Sequence, residues 1–119
     1  MGRILLVEDE EHSVRALERY LEEAGHRLAT AARAVEALER ALDLEPEVLV
    51  TDLFLADHEG GATVARKLTA RDPSLQVIVM TGLFTDDEPT DEVEVEGFLV
   101  KPFSLGVLAH AVHRALRNG

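Results

Sequence analysis

The sequence predicts a doubly wound α/β domain built on a parallel sheet. Short runs rich in valine, isoleucine and leucine alternate along the chain with segments of helical period. The runs are almost continuous in hydrophobicity, as expected for strands covered by helices on both faces. The 119 residues, 46% hydrophobic and 29% charged, suit one globular domain, expected over residues 1–119.

The first strand is Ile4 to Val7. From His12 to Ala24 the apolar residues Val14, Leu17, Leu21 and Ala24 recur at spacings of three and four, and Gly25 stands where a helix stop belongs. Arg27 to Ala31 is a weaker second strand. Ala34 to Leu44 reads as a second helix with Val35, Leu38 and Leu42 on one face, closed by Pro46. Val48 to Thr51 is the third strand; Asp52 follows at once, and a loop ends in Gly60-Gly61. A third helix, Ala62 to Ala70, precedes Asp72-Pro73. Gln76 to Met80 and Gly97 to Val100 are the last two strands. Ser104 suits the N-cap of a final helix with a buried stripe of Leu105, Leu108, Val112 and Leu116. The expected strand order is the flavodoxin-like 2-1-3-4-5.

Composition excludes several roles. Twelve basic against 23 acidic residues give a net charge of −11, which opposes direct binding to nucleic acid or to an anionic membrane surface. No apolar run reaches the roughly 20 residues of a membrane span, and Met1-Gly2-Arg3 leads straight into the first strand without a readable targeting signal. A cytoplasmic protein is expected. The absence of cysteine removes disulfides, thiolate metal sites and thiol nucleophiles. The five histidines show no metal-binding spacing on convergent elements, and His110 and His113 read as surface residues.

In open α/β sheets, ligands sit at the carboxyl ends of the strands, beside the switch in strand order. Glu8-Asp9, Asp52, Thr81-Gly82 and Lys101-Pro102 stand at those ends. Three carboxylates converging on one cavity call for a cation, and a hard divalent ion such as Mg²⁺ suits oxygen ligands. A carboxylate between that ion and Lys101 is an acceptable nucleophile for a phosphoryl group, whose transfer needs mainly positioning and charge neutralisation. Phosphorylation at Asp52 is the expected outcome. A plainer reading makes Glu8-Asp9-Glu10 a helix start and Asp52 a turn cap.

The chain resembles the receiver domain of bacterial two-component response regulators. The matching stretches are Ile4-Leu5-Leu6-Val7-Glu8-Asp9-Glu10, Val48-Leu49-Val50-Thr51-Asp52-Leu53, Val77-Ile78-Val79-Met80-Thr81-Gly82 and Phe98-Leu99-Val100-Lys101-Pro102-Phe103. The resemblance implies Mg²⁺ held by Asp9, Asp52 and the backbone carbonyl of Phe54, with Glu8 ligating through water. It implies phosphate contacts from Thr81 and Lys101, a switch aromatic at Phe98 and a cis peptide before Pro102. It also implies a sensor histidine kinase or phosphotransfer protein as donor, an output partner that the sequence does not name, and room for a phosphorylation-dependent dimer. Phe54 and Leu83, two residues beyond Asp52 and Thr81, would flank the hydrolytic water and, lacking polar groups, slow dephosphorylation.

Two departures stand out. The family commonly has a proline at the Ala56 position, and only 19 residues separate Thr81 from Lys101. Between Leu83 and Gly97, Pro89, the Glu-Val alternation and seven acidic residues from Asp86 to Glu96 oppose a helix, so the fourth helix of the family is expected to be shortened or absent. Three rivals share the fold: a flavin or nucleotide binder, which would want a glycine-rich turn where Glu8-Asp9-Glu10 stands; a Mg²⁺-dependent phosphatase-like domain, which would need a second general acid and a cap; and a phosphorylation-independent pseudo-receiver acting as a binding module.

Overall fold

The computed structural model describes residues 2–53, 60–82 and 95–118. Within them the order is β1 (Arg3–Val7), α1 (Glu11–Glu23), β2 (Arg27–Ala31), α2 (Ala34–Leu44), β3 (Val48–Asp52), α3 (Gly61–Arg71), β4 (Gln76–Thr81), β5 (Gly97–Val100) and α4 (Leu105–Asn118). All strand pairs are parallel, in the order β2-β1-β3-β4-β5. The expected sheet is the one observed. The expectation of a short or missing helix between Leu83 and Gly97 concerns residues almost all outside those described.

The period of two along each strand divides the core into two layers. Leu5, Val7, Leu49, Val77 and Val79 face α2 and α3. Ile4, Leu6, Val48, Val50, Ile78 and Met80 face the other way, onto Leu17 and Leu21 of α1 and Leu108, Val112 and Ala115 of α4. Burial on both sides explains why these runs lack polar alternation.

Helix ends follow local chemistry. The Glu10 carboxylate caps α1, accepting from the backbone N–H groups of His12 (3.2 Å) and Ser13 (2.7 Å). These bonds, Ser13 first, hold its pKa below the usual glutamate value. The helix therefore starts one residue earlier than the periodicity suggests, and Glu10 does the plainer work weighed for its acidic triplet. Gly25 follows α1 at φ 95°, a conformation suited to glycine. The Ser104 hydroxyl accepts from Val107 N–H at 3.2 Å and caps α4 as expected.

The apolar face of α2 is not the one it buries, and the expected buried stripe of α4 needs correction. α2 buries Ala34, Ala37, Ala41 and Leu44, while Val35 and Leu42 are each 63% exposed and Leu38 is half-buried. The small alanine face lets the helix lie close to the sheet, which turns the bulky stripe sideways. In α4, Leu108, Val112 and Ala115 are buried, whereas Leu105 is 38% exposed and Leu116 half-buried. His110 and His113 are exposed, as expected.

At the opposite end of the sheet from the acidic cluster, Gly2 N–H donates to His26 Nδ1 at 3.1 Å. Burial, then the nearby amino-terminal charge, lowers the His26 pKa below its ordinary 6.5. The unfolded chain thus takes up a proton at a higher pH than the folded one, and His26 contributes stability that is lost as pH falls from above 6.5 through the lower folded value. Relative to His26→Gln, the wild type is expected to lose a degree or so of melting temperature between pH 7 and pH 5. A difference independent of pH would refute the assignment.

Candidate phosphoacceptor site

Strand register builds the site. Val7 pairs with Thr51, so Glu8 comes level with Asp52 at the ends of β1 and β3. Asp52 pairs with Met80, and Thr81 with Val100, so Lys101 leaves β5 just beyond Thr81. Backbone pairing continues past the strands: Glu8 N–H donates to Ala31 carbonyl (3.0 Å), Leu53 N–H to Met80 carbonyl (2.9 Å) and Lys101 N–H to Thr81 carbonyl (2.8 Å). These bonds fix the directions in which the four polar side chains leave the sheet.

The carboxylates of Glu8, Asp9 and Asp52 offer oxygens all within 4.8 Å of one another. Glu8 is fully buried, Asp52 is 9% exposed and Asp9 is open to solvent. The Lys101 ammonium donates to Glu8 Oε2 at 2.8 Å and to Asp52 Oδ2 at 3.2 Å. The other Glu8 oxygen accepts from Glu10 N–H at 3.3 Å. Thr81 is buried at the end of β4, and Phe98 is half-buried beside the α2/α3 layer. The Lys101–Pro102 peptide is cis.

One ammonium among three carboxylates leaves the cluster short of positive charge. Burial, with the hydrogen bond and charge of Glu8, pushes the Asp52 pKa up to about 7, against the opposing pull of Lys101. Burial alone would lower the Lys101 pKa, but the Glu8 hydrogen bond and the Asp52 and Glu8 charges outweigh it and raise the value. An all-oxygen donor set with surplus negative charge, buried on one side and open at Asp9, fits a hard divalent cation with part of its water shell retained. The structure thus brings together Glu8, Asp9, Asp52 and Lys101. It sets Thr81 at the end of the strand adjoining Asp52, and Phe98 one strand further. Phe54, Ala56 and Leu83 lie outside the described residues. Sequence reasoning missed Gly61, against whose α-carbon the Asp52 carbonyl packs; the Gly60-Gly61 pair ending the loop was the available signal.

A five-stranded parallel sheet in the order 2-1-3-4-5, with an acidic cluster and a lysine at its carboxyl edge, defines a flavodoxin-like α/β domain with a candidate cation site, and the comparisons narrow the class. Residues 4–113 match the response regulator receiver domain. The chain belongs to that family. It is 32% identical over 118 residues to the transcriptional regulatory protein PrrA of Mycobacterium tuberculosis, covering 98% of this chain and 50% of that protein. It is 31% identical over 121 residues to the response regulator receiver protein CpdR of Brucella abortus, covering 98% of each. The chain spans about half the length of PrrA and nearly all of CpdR. A CheY-like receiver domain structure from Methanospirillum hungatei superposes with a TM-score of 0.91 at 21% identity, covering 99% of this chain and 96% of that one, which speaks for the fold. Among the described residues no helix is long and apolar enough to cross a membrane.

Proposed function

We propose that the domain accepts a phosphoryl group on Asp52 in a Mg²⁺-dependent reaction and that the modification switches its binding to a partner. The observation that carries this is the placement of a largely buried Asp52 carboxylate 3.2 Å from the Lys101 ammonium and beside two further carboxylates. Asp9 and Asp52, with the Phe54 carbonyl and with Glu8 through water, are the residues suited to hold Mg²⁺. Bound there, the ion would offset charge on the phosphoryl oxygens.

The chain's own groups divide the remaining work. An Asp52 oxygen attacks phosphorus; the bond from phosphorus to the donor breaks, and its electron pair leaves with the donor group, an imidazole nitrogen in the case of a phosphohistidine. Ionised Asp52 is required, so Lys101 and the cation must offset the pressure that raises its pKa. In the product, Lys101 and the Thr81 hydroxyl are placed to contact phosphate oxygens. The donor in this reading is a sensor histidine kinase or a phosphotransfer protein, the setting is cytoplasmic, and the domain serves signalling rather than turnover of a small substrate. Partner exchange or dimerisation would be the output.

Incubation with a small acyl phosphate and Mg²⁺ should add one phosphate to the intact mass, located by tandem mass spectrometry to the peptide holding Asp52, and chelation should abolish it. No gain, with Mg²⁺ shown to bind, would favour the pseudo-receiver reading. Continuous release of inorganic phosphate from an unrelated monoester would favour the phosphatase.

Movement of the Thr81 hydroxyl toward a phosphate would open space beside Phe98, and phosphate can shift the two states only by its differential contacts with them. Crystal structures with and without beryllofluoride and Mg²⁺ are therefore expected to differ in the Phe98 rotamer, which turns inward in the loaded form. Identical rotamers would refute the switch.

A further inference from the structure

Around α2 the side chains fall into three adjacent rows: the buried alanines; then Val35, half-buried Leu38 and Leu42; then Glu39 and Asp43. The middle row leaves two large aliphatic residues 63% exposed, one spacing of seven apart. Scattered exposed leucines are ordinary, but this row runs into a groove of about 360 Å³ between α2 and α3, walled by Leu42, Pro46, Leu68 and Leu75. Arg71 edges the groove on the α3 side, and Lys67 lies one turn before it.

The two rims carry opposite charge. On α2 the outward acids beside the apolar row are Glu39 and Asp43, Glu36 turning to the α1 side, where it lines a separate cavity with Glu8 and Arg40; on α3 the outward bases are Lys67 and Arg71, while Arg3, Glu45 and Asp72 line the lower end of the groove. The side chains of Glu39, Asp43, Lys67 and Arg71 make no hydrogen bond or ion pair with another described residue, whereas Arg3 pairs with Glu47 and Asp72 accepts from Ser74. On α1, by contrast, Arg15 pairs with Glu11 at 2.7 Å and Arg19 with Glu23 at 3.1 Å. The α2/α3 rims therefore hold unspent charge on either side of an uncovered apolar strip.

We infer that the α2/α3 groove docks an amphipathic helix from a partner protein, with an apolar stripe flanked by basic residues on one side and acidic residues on the other. The apolar stripe covers Val35 and Leu42 and reaches into the groove. The basic flank meets the α2 carboxylates, the acidic flank meets Lys67 and Arg71, and the opposed rims set the direction in which the helix lies. A second copy of this chain fits poorly, because two α2 helices packed antiparallel through their apolar rows would bring their carboxylate rows together.

The test uses designed helical peptides with a leucine stripe, labelled for fluorescence anisotropy, at physiological salt. Their flanks are lysine on one side and glutamate on the other, or lysine on both. The mixed peptide should bind saturably and more tightly than the all-lysine one, and Leu42→Glu should weaken it by about tenfold or more. The double variant Lys67→Glu, Arg71→Glu should reverse the preference toward the all-lysine peptide. Val35→Glu serves in place of Leu42→Glu should that variant lose its circular dichroism signal. Absence of saturable binding would overturn the inference. So would equal preference in wild type and double variant, which would reduce the effect to general attraction by an acidic chain. Self-association abolished by Leu42→Glu would instead assign the face to a second copy and overturn it too.

Discussion

Asp52→Asn is expected to take up no phosphate from an acyl phosphate and, unphosphorylated, to melt a few degrees above the wild type at pH 8 and by less than half that margin near pH 5. The two effects share one cause. In the folded chain the Asp52 carboxyl holds its proton up to about pH 7, whereas an unfolded aspartate releases it near 3.8. Between those values the folded state binds the extra proton, so stability falls as pH rises through that window and levels off above it. Asparagine removes the ionised form and with it the repulsion from Glu8, which is felt only at the higher pH. Mg²⁺ should act on the wild type in the same direction, stabilising it at pH 8 and much less at pH 5, because the ion needs the ionised carboxylate. Calorimetry at the two pH values, with and without Mg²⁺, checks this. A constant difference between variant and wild type would show that Glu8 and Asp52 do not compete for charge as their geometry implies.

The strands were legible because burial on both faces leaves no choice of residue: Ile4 to Val7 and Val48 to Val50 have no exposure at all. The acidic cluster was legible for a related reason. A charged residue directly after such a run stands at the sheet edge, and the parallel order then brings Glu8, Asp52 and Lys101 together. Helix faces were less so. Hydrophobicity favours Val35 and Leu42 over Ala34, Ala37 and Ala41, but close approach to a sheet rewards small side chains, and packing distance is invisible in a periodicity. Lys101 illustrates a finer limit. Its place beside the site could be read from the sequence, yet its shorter contact is to Glu8, 2.8 Å against 3.2 Å for Asp52. Only the register shows that the two carboxylates stand side by side and share one ammonium.

Gly61→Ala is expected to destabilise the domain and to slow phosphorylation of Asp52 by more than the loss of stability explains. The first residue of α3 lies directly against the end of β3: Gly61 N–H donates to Leu53 carbonyl at 2.7 Å. A β-carbon at Gly61 would overlap the Asp52 carbonyl oxygen and come within 2.8 Å of Thr51 Oγ1. That hydroxyl itself donates to the Asp52 carbonyl at 2.9 Å, so neither neighbour can swing aside without breaking a buried hydrogen bond. Either α3 lifts from the sheet or the acceptor backbone shifts. Overpacking of this kind costs about 1–3 kcal/mol. A displacement of about 1 Å at a reacting group can cost roughly 100-fold in rate, so the rate of mass gain from acyl phosphate should fall by about tenfold or more even where the variant is fully folded. Gly82→Ala is the control. It lies just past Thr81 at the same edge of the sheet, but a β-carbon there meets nothing within 4 Å among the described residues, so stability should be unchanged. Denaturant melts give the first quantity and the time course of intact mass the second. A Gly61→Ala variant that is destabilised yet phosphorylated at the wild-type rate would confine the glycine to helix packing and separate it from the placement of Asp52.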